Sequence, residues 1–132
     1  MKLASFLCCQ NIATNPENGE ILIFQPLQNI ALVSVPSTYS FSISMGLVEM
    51  DKGGKDWFGL SIIDPEGETV QNIENIKIPS APENISDDDS LYSALMNLDL
   101  RNMVFKKTGL YRVVFSGSLD CEYPLWVTKN EH

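Results

Sequence analysis

The stretch from Leu98 to Phe115 constrains this chain more than any other. Leu98 and Leu100 alternate with Asp99 and Arg101, a basic turn follows at Lys106-Lys107-Thr108, and Gly109-Leu110-Tyr111 opens the run Arg112-Val113-Val114-Phe115. Strand side chains point alternately to opposite faces, and β-branched and aromatic residues suit a pleated, half-buried surface. Two such segments joined by a short turn predict the corner of an antiparallel β-sandwich.

The rest of the chain reads the same way. Tyr39, Phe41, Ile43, Met45 and Leu47 alternate with Ser40, Ser42, Ser44 and Gly46. At helical spacing these large residues would be spread around the whole cylinder, so a helix is excluded; as a strand, one face meets the core and the serine face meets solvent or a close partner. A first strand over 2–10 leads to Asn15-Pro16-Glu17-Asn18-Gly19, whose Asn-Gly pair signals a tight turn before a strand from Glu20 to Phe24. Residues 29–35 read as another strand. Asp51-Lys52-Gly53-Gly54-Lys55-Asp56 is expected as a flexible hairpin connection, and Trp57–Ile63 as a strand with Phe58, Leu60 and Ile62 on one face. Asp64-Pro65-Glu66-Gly67 has type I turn chemistry. Val70, Ile73, Ile76 and Ile78 break a single period, which predicts a β-bulge near Asn72–Asn75.

Residues 79–90, rich in Pro, Asp, Ser and Asn, are expected to be the longest loop. Between 91 and 97 both a short helix capped within Ser86–Ser90 and a strand fit, the preferred reading being a strand from about Met96 with a helical turn before it. The last strands lie at Tyr111–Phe115 and Leu125–Thr128. The expected fold is all-β, a single antiparallel β-sandwich of immunoglobulin-like or Greek-key type, with seven to nine strands and at most one short helical turn, spanning residues 1–132 as one domain.

Composition limits the partners. Nine Lys and Arg against 17 Asp and Glu give a net charge of −8. Nucleic acid and anionic membranes require a cationic footprint, so neither is expected as a partner. The apolar run near the start is too short for a secretion signal and lacks a small-residue cleavage site, and no run reaches the length of a membrane span. Cys8, Cys9 and Cys121 lack CxxC spacing and a neighbouring His; they read as free thiols in a reducing cytoplasm.

Leu98, Leu100, Asn102, Met103, Gly109 and Tyr111 resemble, at the same spacing, the immunoglobulin-like pattern of a strand running to Gly-x-Tyr, in which the tyrosine hydroxyl bonds back to the main chain. Lys107 stands where that pattern has Asp, and Val113 where it has its second cysteine. Over its length the chain resembles a family of small uncharacterised bacterial β-sandwich proteins, through the Cys-containing first strand, Asn18-Gly19-Glu20, Asp64-Pro65-Glu66-Gly67, Phe105-x-x-x-Gly109-x-Tyr111 and Pro124-Leu125-x-Val127. These are turns and corners. The resemblance therefore implies a fold and no reaction.

No residue pattern marks a reaction centre. The sole histidine is His132, which leaves no Ser-His-Asp or Cys-His arrangement and no imidazole acid–base. Asp87-Asp88-Asp89 with Glu83 lacks the alternation that wraps carboxylates round Ca²⁺, and Asn84-Ile85-Ser86 is a sequon without consequence in the cytoplasm. Lys52-Gly53-Gly54-Lys55 lacks phosphate-loop spacing. No catalytic residue, metal or cofactor is expected. Trp57, Trp126 and Tyr123, with Tyr92, are the side chains a partner or sugar would use, and Trp126 should face outward if Leu125 and Val127 are core. The expected function is a non-enzymatic protein-interaction domain (an adaptor, inhibitor or assembly subunit, with self-association included). A small-ligand or carbohydrate-binding module is the alternative, and a carboxylate-based hydrolase comes third.

Overall fold

A computed structural model describes residues 1–78 and 91–130, with the backbone alone at Leu91 and Tyr92. Nine strands occupy these residues: β1 (Lys2–Thr14), β2 (Ile21–Pro26), β3 (Ile30–Leu32), β4 (Ser37–Asp51), β5 (Trp57–Ile63), β6 (Thr69–Lys77), β7 (Leu91–Phe105), β8 (Gly109–Gly117) and β9 (Glu122–Lys129). They form a four-stranded sheet in the order β2-β1-β4-β7 and a five-stranded sheet in the order β3-β9-β8-β5-β6. The five-stranded sheet curls around one side of the core. No helix is present among the described residues, and none is long and apolar enough to cross a membrane.

The core is built by the expected alternation. Phe41, Ile43, Met45 and Leu47 of β4 face Phe58, Leu60 and Ile62 of β5 and Tyr111, Val113 and Phe115 of β8, and all ten are buried. Residues at period two along each strand can enter one interior only if the two sheets lie face to face. The turns follow their sequence signals. Gly19, at φ +73°, closes the β1–β2 hairpin with its N–H on the Asn15 carbonyl at 2.8 Å, and Gly67 N–H meets the Asp64 carbonyl at 3.0 Å. The bulge in β6 lies where it was expected: Phe58 pairs with Ile76 and Leu60 with Ile73, so Gly59 faces both Glu74 and Asn75.

Several expectations are corrected. The sandwich is not wholly antiparallel, because β3 runs parallel to β9. The chain leaves the four-stranded sheet at Pro26 and enters the other beside its last strand, in the same direction. The strand expected over 29–35 is only three residues long; Asn130 N–H takes the Leu32 carbonyl at 2.6 Å, and the chain then turns away through a cis Val35–Pro36 bond. β1 continues to Thr14 because β2 supplies a partner as far as Ile21.

Residues 91–97 are strand, with no helical turn, since β4 is long enough to pair Asp51 with Leu91. The connection at 51–56 is not a hairpin: β4 and β5 lie in different sheets. It is tied by the Asp56 carboxylate, which accepts from Asp51 N–H at 2.7 Å. Ser42 and Ser44 are buried rather than solvated. The register sets Cys9 and Asp99 on either side of Ser42, and Leu7 and Asn97 on either side of Ser44, so the small hydroxyls sit below larger neighbours. The expected loop at 79–90, with its acidic run, sequon and helix cap, and His132 lie outside the described residues.

Candidate functional site

Trp57 opens β5, and because Phe58 points into the core, Trp57 stands on the outer face of the five-stranded sheet, 44% exposed. Its position is fixed from below by Gly117. That residue has φ +79°, and a Cβ there would lie 2.8 Å from the Trp57 carbonyl oxygen and 2.9 Å from the indole. Only glycine allows both the backbone conformation and the approach of the ring. The main chain is tied as well: Ser118 N–H donates to the Trp57 carbonyl at 2.8 Å, and Trp57 N–H donates to Ser118 Oγ at 3.2 Å.

Beside the indole is an open cleft of about 460 Å³, lined by Gly59, Ser61, Asn72, Glu74, Asn75 and Ser116 among others. Its origin is the β6 bulge. Two residues of β6 face a single residue of β5, and that residue is Gly59, so an extra length of wall stands over a floor without a side chain. Asn75 adopts φ +56°, the left-handed conformation that asparagine tolerates better than most residues. The polar groups form a chain: Ser61 Oγ bonds Asn72 Oδ1 at 2.8 Å, and Asn72 Nδ2 donates to Glu74 Oε1 at 2.9 Å. On the other side of Trp57 and Asn75 a second hollow of about 280 Å³ is lined by Gly54, Lys55, Asp56 and Lys77.

The structure sets the three aromatic residues named as contact candidates apart. Trp126 does face outward, 51% exposed, opposite Leu110. Trp57 lies beyond the other end of β8, next to Gly117, which puts the two indoles roughly 25 Å apart at strand spacing. Tyr123 is half-buried against the core. Its ring stacks on Phe6 at 4.6 Å and 11° and meets Phe115 edge-on at 6.4 Å. The parity that turns Trp126 outward turns Tyr123 inward with Leu125 and Val127, so its half-buried placement follows from the sequence. Of Tyr92, only the backbone is described.

A model of a family of unknown function, DUF6941, matches residues 4–127. The chain belongs to that family. No curated protein and no solved structure matches it. The matched span contains the Trp57 cleft, the corner at Tyr111 and the edge strand β2.

That edge strand is the feature the sequence reading missed. β2 ends the four-stranded sheet, and Leu22, Ile23 and Phe24 are all exposed on it, Phe24 to 48%. No charged residue occurs from Ile21 to Val48, although the chain carries 26 charges in all. Edge strands are ordinarily blunted by charge or shortness. The signal was available as a charge-free run overlapping a strand, but nothing in the residues says which strands end a sheet.

Tyr111, Asp64 and Lys107 tie the corner that opens β8. Tyr111 hydroxyl donates to the Lys107 carbonyl at 2.8 Å, as the corner pattern implies. Buried Asp64 accepts from Glu66 N–H and Glu68 N–H, both at 2.9 Å, and Lys107 Nζ bridges it at 3.3 Å and Glu66 at 2.7 Å. The Glu68 N–H holds the Asp64 carboxyl below its ordinary range, aided by Glu66 N–H and Lys107 against the opposing effect of burial. Burial pushes the Cys8 thiol up to about 12, and raises Cys9 and Cys121 as well, so all three are poor nucleophiles at neutral pH. Among the described residues no three His, Cys, Asp or Glu side chains gather as metal ligands would.

Proposed function

We propose that this chain is a cytoplasmic binding domain without catalytic activity of its own, and that β2 takes an extended segment of a protein partner as an added strand. The observation that carries this reading is the apolar, charge-free strand left at the end of a sheet, with Leu22, Ile23 and Phe24 exposed. The free backbone edge of such a strand supplies affinity, and pockets for alternate side chains supply selectivity. Three unpaired cysteines fit a reducing compartment.

A heterologous segment suits the edge better than a second copy. A six-residue strand is roughly 20 Å long, and a strip one strand wide falls well short of the ~800 Å² per partner of a stable interface. Two copies, each at −8, also repel, whereas a segment bearing Lys or Arg beside its apolar residues is drawn in.

Affinity purification from the native host tests this with the wild type, Phe24→Lys and a control, Leu110→Lys, on the other sheet. The expected result is one stoichiometric partner held by the wild type and the control and lost from Phe24→Lys, with all three proteins melting alike. A partner retained by Phe24→Lys would sink the proposal. So would a wild-type dimer in sedimentation that Phe24→Lys dissociates, because the occupant would then be a second copy.

A further inference from the structure

The cleft at Trp57 lies at the opposite side of the molecule from β2. The two sheets stack with β7 against β6, whose Ile73 and Val70 share a hollow with Leu100 and Val104, while β2 and β3 lie at the other end of their sheets. Whatever the cleft does is therefore separate from strand addition at β2.

Its chemistry is specific in kind. One flank of the indole rests on Gly117 and the residue is 44% exposed, giving an accessible apolar platform with a negative π face. Facing it across Gly59 is the hydrogen-bonded chain Ser61–Asn72–Glu74, which holds an amide and a carboxylate in fixed positions at the wall. A carboxylate accepts about four hydrogen bonds, so Glu74 retains capacity beyond its bond to Asn72. An apolar ligand would leave this polar wall unsatisfied. An anionic ligand would meet Glu74 on a chain of charge −8. A pyranose ring satisfies both sides at once, with a C–H face for the indole and a hydroxyl edge for the amide and carboxylate.

The volume of about 460 Å³ falls in the range of small-ligand sites. The second hollow shares Trp57 and Asn75, so the two lie end to end with the indole between them. That arrangement suits a linear chain of sugar units rather than one isolated monosaccharide.

We propose that the Trp57 cleft binds a neutral oligosaccharide, one sugar ring stacking on the indole and its hydroxyls bonding the Asn72–Glu74 wall, with the chain continuing toward Lys55 and Lys77. The site is built before any ligand arrives, because the indole rests on Gly117, the Trp57 main chain is tied to Ser118 and the wall is set by the β6 bulge.

The test uses cellohexaose, laminarihexaose and chitohexaose, titrated calorimetrically and by fluorescence in a Trp126→Phe background, where Trp57 is the sole tryptophan. Saturable binding of at least one of them with a shift in Trp57 emission is expected. Trp57→Ala should weaken that binding about tenfold or more, as removal of a central aromatic contact does. Glu74→Ala, at an exposed position that leaves the core untouched, should weaken it severalfold with an unchanged melting curve. Phe24→Lys should leave it unaffected, which separates this site from the β2 reading. Failure of all three sugars to bind overturns the proposal. Binding that survives both Trp57→Ala and Glu74→Ala, or that is lost with Trp126→Phe, overturns it too.

Discussion

Gly109 has φ +126°, and a Cβ on it would lie 3.0 Å from Pro65 Cγ, so the corner that opens β8 depends on the absence of a side chain. Gly109→Ala should destabilise the fold by about 1–3 kcal/mol, measured by urea unfolding, because the variant must adopt a conformation L-residues avoid while displacing a proline ring. The neighbouring Asp64–Lys107–Glu66 cluster makes a pH-dependent contribution. A carboxyl whose folded pKa is depressed stabilises above its unfolded value near 3.9, and that contribution disappears as pH falls through the folded pKa. The Lys107 ammonium is raised, chiefly by Glu66 and then by Asp64, so its share is complete below about 10.4 and is lost as pH rises through the folded pKa. Asp64→Asn should therefore lower the melting temperature by a constant amount between about pH 5 and pH 9, and the gap to wild type should close below about pH 4. A gap that widens in acid would contradict this assignment.

At the scale of elements, β6 shows how one extra residue makes a surface. Ile73 and Ile76 both reach toward the core, although three residues apart, because Glu74 and Asn75 together oppose Gly59. Deleting Asn75 leaves one residue opposite Gly59 and returns Ile76 to its pairing with Phe58 in a regular ladder. Stability should stay within about 1 kcal/mol of wild type, since the deletion removes a left-handed residue and no core side chain. The cleft wall should vanish with it, and oligosaccharide binding should be lost while the melting curve survives. A collapse of the fold would show instead that the bulge holds the sheet together.

For the whole molecule, charge is segregated. Glu17 and Glu20, at the β1–β2 turn, are the sole charges from Leu3 to Val48, so β1, β2 and β4 carry almost none before Glu49. The rest of the chain carries the other −6, which leaves β2 itself uncharged while the molecule as a whole attracts cations. Association of a partner segment with β2 should slow several-fold as salt rises from about 0.05 to about 0.5 M, with a much smaller change in dissociation rate, because the charges steer the encounter from beyond the apolar contact. Stopped-flow mixing measures both rates. A salt-independent association rate would show that the charge is there for solubility alone.

Much of this was legible in the residues, because it rests on local chemistry. The Asn18-Gly19 and Asp64–Gly67 turns, the bulge near Asn75, the corner bond of Tyr111 and the outward Trp126 each follow from conformational preferences or from side-chain parity within a few residues. Tyr123 belongs with them, since its inward turn followed from the same parity. What the tertiary structure alone decided is adjacency. That β2 ends a sheet, that β3 runs parallel to β9, that Ser42 and Ser44 lie buried on an outer face, and that Gly59 sits opposite a bulge beside a tryptophan held on Gly117 all depend on which strand lies next to which. Strand order is set by contacts between residues distant in the chain, and no local pattern encodes it.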